Sequence, residues 1–135
     1  MGYINQKITI ISIRKPAEKN VNQDLQWLGS SLGLFSQRDK DRSCFRLFVE
    51  LVKSAKAHQL ISSDELAYKL RLSRGTIIHH MNRLIEAGLV VPGTNKYELR
   101  VSSLKDLIDE VEKDLQRTLS DLRKTAQELD DVLGL

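Results

Sequence analysis

Apolar residues fall along this chain in three different rhythms. From 4 to 14, Ile4, Ile8 and Ile10 alternate with Ile11 and Ile13 on the opposite side, a β-branched density that predicts a strand. Pro16 then disfavours helix just before it, so residues 15–20 read as a loop. Leu25, Leu28, Leu32 and Phe35 return at helical spacing, although Gly29 and Gly33 weaken a helix there. From Asp41 the helical period sharpens. Phe45, Phe48, Val49, Leu51 and Val52 form one apolar side to about His58. Ser63 reads as the cap of a short helix facing inward through Leu66, Ala67 and Leu70. After the tight connection Arg71-Leu72, Ser73 caps another helix, whose stripe Ile77, Met81, Leu84 and Gly88 steps by four, three and four residues. Gly88 suits a left-handed helix end.

The period then becomes extended. Leu89-Val90-Val91 and Tyr97-Glu98-Leu99-Arg100-Val101 flank Pro92-Gly93-Thr94-Asn95-Lys96, whose composition is that of a turn, so a short β-hairpin is predicted. A final helix is predicted from the Ser102-Ser103 cap to about Leu133, roughly 45 Å at 1.5 Å per residue. The reading is a mainly α chain with a small β-hairpin wing, an α+β winged helix-turn-helix with a long C-terminal dimerisation helix. It divides into 1–38, an N-terminal strand or arm with a short helix, 39–103, the winged helix-turn-helix, and 104–135, the C-terminal helix.

The segment 66–84 fits a helix-turn-helix in detail. Small Ala67 lets two helices approach, and Leu66, Leu70, Leu72 and Ile77 plug their junction, leaving the first turn of the second helix projecting. That turn carries Ser73, Arg74 and Gly75, where free N–H groups and the positive end of the macrodipole favour phosphate. Arg74 and Arg83 suit phosphate or guanine, and Thr76, His79 and Asn82 suit base edges. Lys96, with Asn95, sits at the wing tip within reach of an adjacent backbone or minor groove.

Ser73-Arg74-Gly75-Thr76-Ile77-Ile78-His79-His80-Met81-Asn82-Arg83-Leu84, followed by Ile85-Glu86-Ala87-Gly88-Leu89-Val90, resembles the recognition helix of ArsR-like winged-helix repressors. The resemblance covers about residues 41–101 and implies a homodimeric regulator on a two-fold-related operator. Two departures stand out. Arg71 occupies the turn position where many such segments have Gly, and Ile78 stands where the family often has Ser. A methyl contact with thymine is open to Ile78.

Along the last helix, Ile108, Leu115, Leu122 and Leu129 recur every seven residues, with Leu104, Val111, Thr118, Thr125 and Val132 between them. Such a heptad face predicts a coiled-coil homodimer, the alternative being packing against residues 25–35 of the same chain. Charge agrees with a polyanion partner. The chain has a formal net charge of +3, but residues 104–135 hold nine acids and five bases, while residues 1–103 hold sixteen bases and nine acids. Charge alone does not decide, but together with the helix-turn-helix it makes double-stranded DNA the expected partner.

Other chemistries find little support. Clustered carboxylates, a Ser/His/Asp set and a Gly-rich phosphate loop are all missing, so no enzyme, catalytic residue or cofactor is expected. His79 and His80 are adjacent and point about 100° apart on a helix, and Cys44 is the sole cysteine, so no metal site is expected. No apolar run reaches the roughly 18 residues of a membrane span, and no secretory signal opens the chain, which suggests a cytoplasmic protein. The competing reading is a winged-helix protein-assembly module without operator binding. Residues 1–38 are open to three roles, as a swapped strand, a DNA-contacting arm through Arg14 and Lys15, or a cover for the dimer seam.

Overall fold

The computed structural model describes residues 3–35 and 42–135. The boundary drawn at 38/39 and the helix onset at Asp41 fall outside them. The elements are α1 (Val21–Ser31), α2 (Ser43–Lys56), α3 (Ser63–Leu70), α4 (Arg74–Glu86), β1 (Val90–Pro92), β2 (Tyr97–Leu99) and α5 (Leu104–Leu133). Mostly helical, with a two-stranded antiparallel hairpin and a long last helix, this is a winged helix-turn-helix. No helix of the described residues is long and apolar enough to cross a membrane.

The predicted apolar stripes meet in one core. Leu47, Phe48 and Leu51 of α2, Leu66 of α3, Ile77, Met81 and Leu84 of α4, and Leu107 of α5 are all fully buried. Leu51 lies four and three residues from Leu47 and Phe48, and Ile77, Met81 and Leu84 step by four and three, so one face of each of these helices supplies the interior. The hairpin pairs Val90 with Leu99, Val91 with Glu98 and Pro92 with Tyr97. Ile61, between α2 and α3, exchanges two backbone bonds with Tyr97, of 3.2 and 2.8 Å, and so stitches the wing's second strand to the helices. One cap is displaced by a residue. Ser62, and not Ser63, caps α3, accepting from the Glu65 amide at 3.0 Å, because Ser62-x-x-Glu65 sets up the capping geometry while Ser63 is buried.

Residues 4–14, expected as a strand, form neither helix nor strand. The reason lies in unsatisfied helix ends. The last carbonyls of a helix lack internal partners, and the arm supplies donors to two of them. The Lys7 amide donates to Glu86 O at the end of α4 (2.9 Å), and the Ile11 amide to Ser31 O at the end of α1 (2.7 Å). Glycine makes the crossing possible. Gly33 and Gly88 have φ of +72° and +80°, and a Cβ on either would stand 2.6 Å from Thr9 or 2.2 Å from the Gln6 amide. Gly29 is likewise a packing residue within α1, leaving room for the Phe35 ring, which meets Phe45 edge-on at 5.3 Å.

Candidate nucleic-acid interface

The connection between α3 and α4 is short because Arg71 adopts the left-handed conformation (φ +56°), the geometry a glycine usually supplies at a helix end. Ser73 then caps α4, its Oγ accepting from the Thr76 amide at 3.1 Å. With Ile77, Met81 and Leu84 fully buried, the helix is seated by its aliphatic back. Gly75, His79 and Asn82, spaced by four and three residues, form an outward line, with exposed Arg74 beside it and half-buried Ile78 along its edge. A Cβ on Gly75 would meet nothing closer than 4.0 Å, so this turn is open to a close-approaching partner.

The sequence candidates divide. Ser73, Arg74, Gly75, His79 and Asn82 are exposed on α4, as are Asn95 and Lys96 at the wing tip, where Asn95 takes φ +61° and the Gly93 amide closes the turn on Lys96 O at 2.7 Å. Thr76 is half-buried, its hydroxyl 2.8 Å from that of Ser73. Arg83 is half-buried too, because its guanidinium donates to Gly33 O at 3.2 Å and so ties α4 to the end of α1. Arg74 lies 3.7 Å from Asp64 of α3, both well exposed. An ion pair so hydrated is worth little and exchanges readily for phosphate. Asp64 lies ten residues from Arg74, at no spacing that pairs within one helix. The adjacent histidines go separate ways. His79 faces outward, and His80 is buried with its Nε2 2.6 Å from Ser43 Oγ of α2.

The proposed dimer residues also divide. Val111 is buried and Leu104 half-buried in the domain's own core, and Leu115 is half-buried. Ile108 (37%), Leu122 (60%) and Leu129 (53%) remain exposed. With Leu119, Ala126 and Leu133 they continue one uncovered stripe along the distal helix.

Asp114 is 3% exposed on the inner face of α5. It accepts from both guanidinium nitrogens of Arg100, just after β2, from Arg117, and from the Gln6 amide at 2.8 Å. Arg100 also reaches Glu110 at 3.2 Å. The Arg100 hydrogen bond holds the Asp114 carboxyl below the ordinary range against the upward push of burial, with Gln6 and Arg117 assisting, and the same contact raises Arg100. One sequence signal was available for this node, since Leu107, Val111, Asp114 and Thr118 are spaced by four, three and four, which puts an acid on a stripe otherwise apolar at its start.

Residues 58–91, which run through α3 and α4 into β1, match the family described as bacterial regulatory protein, arsR family. No curated protein and no solved structure matches the chain. The match falls on the α3–α4 pair, so this segment of the winged helix-turn-helix is similar to the arsR-family domain, which supports a DNA-binding transcriptional regulator.

Proposed function

We propose that the protein is a homodimeric, sequence-specific operator-binding repressor. In this reading α4 enters the major groove by its first turns. Arg74 and the free amides at Ser73–Gly75 meet phosphate or guanine, Ile78 touches a thymine methyl, and His79 and Asn82 address base edges. Asn95 and Lys96 carry the wing to the neighbouring backbone. Thr76 and Arg83 act from behind, the first by fixing the helix start and the second by anchoring its far end to Gly33. The observation that carries this reading is the two-sidedness of α4, fully buried along Ile77, Met81 and Leu84 and open along Gly75, His79 and Asn82.

The distal half of α5 supports pairing with a second copy. Its leucines face solvent over a length that the chain's own domain does not cover, and a two-fold pair can place two recognition helices about 34 Å apart, one turn of DNA. Occupying such a site excludes other proteins from it, which is the physical basis of repression. The test is selection of bound duplexes from a random pool, followed by titration of the winner at several salt concentrations. The expected result is a two-fold-related site, bound at least about a thousandfold more tightly than random duplex, with affinity falling steeply as salt rises. Equal affinity for all duplexes would overturn the reading.

A further inference from the structure

Asp114 stands where α5 leaves the domain. Val111 is the last buried apolar residue of that helix, and beyond Asp114 the side chains are mostly exposed. The exit of the wing and the N-terminal arm converge on this carboxylate. Arg100 comes from the exit of the wing, and its backbone amide also donates to Leu89 O at 2.9 Å, joining the two roots of the hairpin. Gln6 comes from the arm, and the same amide nitrogen that reaches Asp114 also donates to Ala87 O, at the end of α4, at 3.1 Å. Arg117 and Glu110 complete the surroundings from α5 itself.

Such a cluster is a poor way to gain stability, because desolvating the ions cancels much of their attraction, and apolar residues of similar volume serve as well or better. What it offers is a single geometry. Apolar side chains tolerate sliding and tilting, whereas a two-nitrogen guanidinium contact with a carboxylate fixes both distance and plane. The position makes small angles matter. From Asp114 to Leu133 the helix extends about 28 Å, so a tilt of about 10° at its base moves its tip by about 5 Å. One base-pair step is about 3.4 Å.

We propose that Asp114 is a positioning residue that sets the angle of α5 against the reading head, and thereby the half-site spacing the dimer accepts. The inference rests on the homodimeric reading above. Gln6 and Arg100 are its partners, and neither belongs to the DNA-facing set.

The experiment uses the full chain and a set of duplexes carrying two selected half-sites with spacers lengthened or shortened one base pair at a time, with the mass of each protein in solution measured alongside. Wild type is expected to prefer one spacer over its neighbours by about tenfold, a coupling of ordinary size. D114N and Q6A are expected to remain dimers and to bind a single half-site as wild type does. Their spacer preference falls to about twofold, or its optimum shifts. If D114N fails to fold, Q6A and R100K decide the matter. Variants that stay dimeric and keep the wild-type optimum and sharpness overturn the inference while leaving operator binding intact. A wild type that is monomeric, or indifferent to spacing, removes the homodimeric reading and this inference with it.

Discussion

Arg71 shows how far a single backbone angle reaches. An L side chain in the left-handed region is strained, yet the turn between α3 and α4 needs that conformation for α4 to leave at the right angle. Arg71→Gly is therefore expected to raise stability by about 0.5–1 kcal/mol in urea unfolding, since glycine relieves the strain at a helix end. Gly88 gives the opposite result. With φ at +80° and the Gln6 amide occupying the space a Cβ would take, Gly88→Ala is expected to cost about 1–3 kcal/mol in the same measurement. The sequence marked both positions, Arg71 as a departure from glycine and Gly88 as a helix end. Gly33 reads in the sequence only as a weakness within a helix, whereas its φ of +72° makes it the end of α1, and the approach of Thr9, 24 positions away, leaves no local trace.

Among the elements, those with a strong period of their own were legible, and the arm was not. α2, α4, the hairpin and α5 follow the apolar spacing to within a residue or two, because each buries a face its own sequence defines. Residues 4–14 have the composition of a strand, but what they bind is the ends of α1 and α4, and that demand is written in other segments. The same distinction separates the candidates on α4. Asn82→Ala and His79→Ala are expected to cost about 1–3 kcal/mol on the selected duplex and to relax base preference locally, while Lys96→Ala weakens all duplexes alike and lowers the salt slope by about one. Arg83→Ala is expected to lower the unfolding midpoint and leave base preference unchanged, because its guanidinium is held by Gly33 O. Loss of preference in Arg83→Ala would return that residue to the reading face. On α5 the heptad was visible, but its division was not, since only the packed domain shows that Leu104 and Val111 are already covered. Leu122→Lys is accordingly expected to yield a folded monomer, checked by light scattering.

For the molecule as a whole, acidity acts through the node at the base of α5. The folded Asp114 carboxyl binds protons less readily than the unfolded one, so its stabilising contribution is complete above the unfolded value of about 3.9 and disappears as pH falls through the lower folded value. The stability difference between wild type and D114N is expected to hold constant from pH 7 to about 5 and to shrink in more acidic solution, as read by urea midpoints. A gap that widens on acidification would contradict this assignment. The two charge regions of the sequence fit the same architecture, with the cationic excess in residues 1–103, which include α4 and the wing, and the anionic excess in residues 104–135, beginning with α5.

The half-covered state of α5 has a consequence for how its amides exchange with deuterated solvent. Amides near Leu107 and Val111 sit in the core and open only with global unfolding, at a rate indifferent to how much protein is present. In the proposed dimer those between Leu119 and Val132 are covered by the second chain, so their protection is expected to grow as the sample is concentrated. On that reading one unbroken helix is expected to behave as two thermodynamic bodies, joined near Asp114.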